Sequence, residues 1–129
     1  MREILFRGKR KDNGEWVYGD LSQHKNGKKF IKCGSATQSY DVIPETIGQY
    51  IGLEANGKKI FEGDILQTGT RMGYVIWNEG CFRFRWKNFD KHRGDFFKTC
   101  ILTEYGSFEE LKVIGNIHDN LELLKGGEQ

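Results

Sequence analysis

Short apolar runs broken by polar residues make up most of this chain, and glycine-bearing turn signals separate them at close spacing. Ile4-Leu5-Phe6, within Arg2–Gly8, ends one run. After Asn13-Gly14 the pattern resumes as Glu15-Trp16-Val17-Tyr18-Gly19-Asp20-Leu21. Asn-Gly between two such runs is the strongest short-range hairpin signal, because both central residues of a type I′ turn need φ above zero. Residues 2 to 21 are therefore predicted to be a hairpin. Asn26-Gly27 separates Leu21-Ser22-Gln23 from Lys29-Phe30-Ile31-Lys32-Cys33, and Asn56-Gly57 separates Tyr50-Ile51-Gly52-Leu53 from Lys59-Ile60-Phe61. These predict a second and a third hairpin. The two later turns read NGKKFI and NGKKIF, but the segments that follow them, CGSATQSYD and EGDILQTGT, have nothing useful in common. The echo is turn chemistry rather than an internal repeat. Lysine beside an exposed turn also blunts strand pairing.

Five more short strands are predicted at residues 63–66, 73–77, 81–86, 100–103 and 113–117. Small polar residues from Gly34 to Ser39 mark a loop, and a boundary is expected near residues 35 to 45, just ahead of Pro44. Pro44-Glu45-Thr46 can open a short helical turn, since proline is tolerated at the first helical position. Ser107-Phe108-Glu109-Glu110 has the form of a capping box, and residues 119 to 124 have room for one more turn. The expected architecture is all-β: an N-terminal hairpin region over residues 1–40, a small, strongly bent antiparallel barrel over 45–125, one or two short helical turns, and a flexible tail at 126–129.

Composition agrees with strands joined by tight turns. Among 129 residues there are 17 glycines and one proline, with aromatics at 13%. The net charge of +2 gives no whole-molecule argument for nucleic acid or membrane, so any such argument must be local. Met1-Arg2-Glu3-Ile4 has no signal-peptide core and no apolar run is long enough to span a bilayer, so a soluble cytoplasmic protein with no membrane partner is expected. Cys33, Cys81 and Cys100 lie far apart without a C-x-x-C, and reduced thiols are expected rather than a disulfide framework or a zinc site.

Two segments carry candidate chemistry. In CFRFRWKNFDKHRGDFFK, Phe82, Phe84 and Trp86 alternate with Arg83 and Arg85, so a strand would place rings on one face and guanidiniums on the other. With Lys87 and Arg93, and with Phe89, Phe96 or Phe97 nearby, such a face could hold a nucleic-acid backbone and stack bases. Over residues 71 to 98, seven cations oppose three acids. The same alternation is what any half-buried strand shows. Arg7, Lys9, Arg10 and Lys11 form a second basic cluster, either a phosphate contact or simply a solvated hairpin end. Residues 104 to 129 hold six acids against two lysines, an asymmetry that would suit salt-sensitive self-association.

Glu62-Gly63-Asp64 invites a catalytic or metal reading, but a glycine between two carboxylates more simply marks a turn whose side chains cap backbone N–H groups. His24, His92 and His118 are dispersed, no base is placed beside Cys81, and Gly69, Gly73 and Gly80 lack the following helix of a phosphate-binding loop. No catalytic set, metal or cofactor is expected.

Three blocks, REILFRGKRKDNGEWVYGDL, VIPETIGQYIGLEANGKKIFEGDIL and VIGNIHDNLELL, resemble the YopX family of phage and prophage proteins over nearly the whole chain. The middle block is the most specific, with Pro44-Glu45-Thr46, Gly48-Gln49-Tyr50 and Glu62-Gly63-Asp64 in order. The chain departs from the pattern at Leu121, where the family commonly has proline, and residues 84 to 105 follow no family block. The resemblance implies a small β protein with an SH3-like later part, encoded by a phage or prophage, and no reaction to transfer. The expected function is that of a non-enzymatic accessory protein in the bacterial cytoplasm, acting as a binding or assembly module. A host or phage protein is the favoured partner, with homo-oligomerisation as a further expectation. The alternative is a nucleic-acid binder using the basic, aromatic β face.

Overall fold

Turns chosen by sequence decide where the strands begin and end. The computed structural model describes residues 3–34, 38–55, 57–68, 71–78, 80–86 and 111–125. Along the chain these form β1 (Phe6–Lys9), β2 (Trp16–Gln23), β3 (Lys29–Lys32), β4 (Ser39–Asp41), a 3-10 turn (Pro44–Thr46) and β5 (Gly48–Ala55). There follow β6 (Lys58–Phe61), β7 (Asp64–Thr68), β8 (Arg71–Asn78), β9 (Cys81–Trp86), β10 (Lys112–Asn116) and a short helix α1 (Glu122–Lys125). The all-β class is as expected, in two antiparallel sheets; closure of either into a barrel is not among the described pairings. The predicted strand at 100–103, the capping box at 107–110 and the tail at 126–129 lie outside the described residues.

The chain divides into two compact units, Met1–Gly52 and Leu53–Gln129. That division falls beyond the loop at 35 to 45, because β4, the 3-10 turn and the start of β5 are bonded to the N-terminal hairpins. Val42 N–H donates to the Lys29 carbonyl, Ile43 N–H to that of Lys9, and Tyr50 N–H to that of Leu5.

In the first unit β1 pairs with β2 from Phe6↔Gly19 to Lys9↔Trp16, and β2 with β3 from Asp20↔Lys32 to Gln23↔Lys29. β3 then pairs with β4, and β1 also pairs with β5. Within this unit the sheet order is β4-β3-β2-β1-β5. Ile31 and Val42 are fully buried and form the centre of this unit's core. Burial at those two positions supplies about 1.5–3 kcal/mol each.

The Asn-Gly turns differ in length. Gly14, Gly27 and Gly57 all have positive φ, at 74°, 87° and 81°, as the turn signals require. Around Asn13-Gly14 the loop is longer than a two-residue type I′ turn: Arg10 N–H donates to Glu15 O and Gly14 N–H to Arg10 O, leaving four residues between the closing pair. Asn13 Oδ1 accepts from Glu15 N–H at 2.9 Å, so the side chain supplies the acceptor for a wider turn. At Asn26-Gly27, His24 N–H donates to Lys28 O and Gly27 N–H to His24 O, which is the three-residue hairpin loop with a left-handed final residue.

In the second unit the sheet order is β10-β7-β8-β9, all antiparallel, with a register shift between Val113 and Gly115. From Gly63 to Leu66 successive residues are buried, so β7 is covered on both faces. β8 instead alternates, with Gly73 and Val75 buried and Tyr74 and Ile76 half-buried. Ile60, Phe61, Ile65, Leu66, Val75, Phe84 and Leu111 make up its core.

Candidate functional site

Glu62-Gly63-Asp64 sits in the turn between β6 and β7. Asp64 is only 2% exposed, and its Oδ2 accepts the Phe61 N–H at 2.7 Å. Gly63, at φ 93°, donates its N–H to Val75 O and accepts from Ile117 N–H. The carboxylate therefore caps the turn that joins the strands, as a structural device. Among the described residues no group of three or more His, Cys, Asp or Glu side chains could hold a metal ion. Cys33 and Cys81 are half-buried, and Cys100 lies outside the described residues.

The cluster at Arg7, Lys9, Arg10 and Lys11 is engaged by neighbours within the first unit. Register places Lys9 opposite Trp16 and Arg7 opposite Tyr18, so Arg7 and Trp16 are a diagonal pair on one face. Arg7, buried to 6% exposure, has its guanidinium 4.7 Å from the Trp16 ring centroid, and the Lys9 ammonium stands 5.8 Å from the same ring. Arg10 stacks on Tyr40 at 4.4 Å and grips Asp12 through two bonds, Nε to Oδ1 at 2.9 Å and Nη2 to Oδ2 at 2.6 Å. That hydrogen-bonded pairing holds the Asp12 carboxyl below its ordinary range and raises Arg10 in return. Lys11 Nζ lies 3.6 Å from Asp41 Oδ1. Trp16 and Tyr40 were not singled out from sequence; a two-residue turn at Asn13-Gly14 would have set Trp16 opposite Lys11, whereas the longer loop sets it opposite Lys9.

β9 shows the predicted alternation. Val75↔Phe84 and Trp77↔Phe82 fall on one face of the β8–β9 ladder, and Tyr74↔Arg85 and Ile76↔Arg83 on the other. Phe84 is buried at 1% exposure, whereas Arg83 and Arg85 are half-buried. Arg85 Nη1 donates to the Tyr74 hydroxyl at 3.4 Å. Lys87 and Arg93 lie outside the described residues. Toward the hairpin end the aromatic face opens outward: Trp77 is 56% exposed, its ring 4.9 Å from Phe82 and tilted 73° in an edge-to-face pair. Trp77 had also passed unnoticed in the sequence, where it reads as one more core position of a strand.

No helix among the described residues is long and apolar enough to cross a membrane. No curated protein and no solved structure matches the chain. A family model described as YopX protein matches residues 5–125, which take in the N-terminal hairpin, the capped turn at Asp64 and the β8–β9 hairpin, and the chain therefore belongs to the YopX family.

Proposed function

We propose that this protein is a non-enzymatic phage or prophage accessory module of the bacterial cytoplasm that binds a protein partner through its β8–β9 hairpin. The observation that carries this reading is Trp77, more than half exposed yet fixed in orientation by Phe82. Tryptophan held rigidly at a surface loses little entropy on binding and is enriched among the residues that dominate protein interfaces. Four antiparallel strands with a register shift in β10 suit the SH3-like barrel that the family resemblance implies, a scaffold that acts through its surface. Nucleic acid on the Arg83 and Arg85 face is the weaker reading, since both side chains are half-buried and Arg85 is bonded to Tyr74.

Affinity capture from a host lysate with the wild-type chain and Trp77→Ala in parallel tests the proposal. A protein retained by the wild type and reduced at least about tenfold by the variant is expected, the loss typical of an interface anchor. Equal retention by both, or recovery of nothing above background, overturns it.

A further inference from the structure

Among the described residues of the first unit, lysines and arginines fall into two kinds, one set beside acids or rings and one offered to solvent without an acidic partner. Arg10 is bonded to Asp12, and Lys11 lies beside Asp41. From Leu21 to Tyr40, by contrast, the chain carries Lys25, Lys28, Lys29 and Lys32 together with His24, and no aspartate or glutamate at all. This segment is the β2–β3 hairpin and its approach to β4. Its loop is closed by His24 N–H donating to Lys28 O, and Asn26 Oδ1 accepts from Lys28 N–H at 3.0 Å, so the lysines project from a fixed backbone. Lys25 and Lys28 are exposed; Lys29 Nζ donates to the neutral Gln23 Oε1 at 2.9 Å and keeps its charge uncompensated there. Lys32 stands opposite Asp20 in register, which makes it the least available of the four. On the same hairpin the exposed His24 ring lies 4.6 Å from Phe30, tilted by 50°.

We propose that the β2–β3 hairpin tip is a contact site for single-stranded nucleic acid, with Lys25, Lys28 and Lys29 neutralising backbone phosphates and the Phe30-backed His24 ring receiving a base. Lysines grouped without acids attract a polyanion and displace its counterions. A ring fixed beside them takes an unstacked base, which a duplex does not present, and this favours a single strand. The site lies in the first unit and stands independently of the partner proposed for Trp77.

The test is fluorescence anisotropy of a labelled oligothymidylate with the full chain across a salt series. Three phosphate contacts predict a slope of log affinity against log salt of about −2. Lys25→Gln/Lys28→Gln/Lys29→Gln should weaken binding at low salt at least tenfold and flatten the slope. His24→Ala should weaken it about fivefold or more and leave the slope intact, as expected for loss of a stacked base. Arg10→Gln/Lys11→Gln, which removes cations already beside acids, should change little. These substitutions are at exposed or half-exposed positions, and an unaltered circular-dichroism spectrum shows that each variant has folded. Absence of wild-type binding at low salt, an unchanged slope in the triple-lysine variant, or tighter binding to phosphatidylcholine–phosphatidylserine vesicles or to duplex DNA than to the single strand would each overturn the proposal.

Discussion

The Asp64 carboxylate accepts the Phe61 N–H at 2.7 Å in a place shut off from water. Removing the acceptor by Asp64→Ala leaves a buried N–H without that bond, a change that costs about 1–3 kcal/mol. Urea denaturation should show this loss, and Asp64→Asn, which keeps a carbonyl acceptor, should recover part of it; wild-type stability in the alanine variant would remove the capping role. Arg10 and Asp12 act at the same scale with a different signature. Their hydrogen-bonded pairing lowers the Asp12 carboxyl from its ordinary 3.8. A depressed carboxylate stabilises the fold above its unfolded value, and the contribution is lost as pH falls through the lower folded value. A carboxyl NMR titration should therefore give Asp12 a midpoint below 3.8, and Arg10→Gln should move it back upward.

Between elements, the β2–β3 ladder depends on how closely two backbones approach. Gly19 lies where a Cβ would run into the Lys32 carbonyl of β3, so even a methyl group forces the strands apart. Gly19→Ala is expected to cost about 1–3 kcal/mol, the usual range for overpacking. Hydrogen exchange should show the damage as faster exchange at Leu21, Ile31 and their ladder neighbours, with the β7–β8 amides least affected. The turns at this scale were legible because Asn-Gly constrains the backbone locally. Loop length at Asn13-Gly14 was not, since it follows from where Arg10 and Glu15 find each other across the hairpin.

Each unit of the whole molecule carries its own buried centre, Ile31 with Val42 in the first and Phe84 with Val75 and Leu66 in the second. Ile31→Ala should destabilise by about 2–5 kcal/mol and lower amide protection most in β1 to β4; Phe84→Ala should cost about 3–5 kcal/mol and act most on β7 to β9. Residue-resolved hydrogen exchange checks both, and uniform loss over the entire chain in either variant would contradict the assignment of separate cores. The all-β class, the strand positions among the described residues other than β4, the 3-10 turn at Pro44 and the ring–guanidinium alternation of β9 were determined by sequence alone, because glycine turns and period-two burial are local consequences of backbone sterics; β4, at Ser39–Asp41 where the sequence reads as loop, exists through its pairing with β3. Tertiary structure alone decided which cations have partners and which rings face outward. Arg7 to Lys11 read as an exposed cluster until strand register set Trp16, Tyr40, Asp12 and Asp41 against it, and Lys25 to Lys29 emerged as the uncompensated group. Charge compensation and exposure depend on neighbours distant in the chain, and no local pattern encodes them.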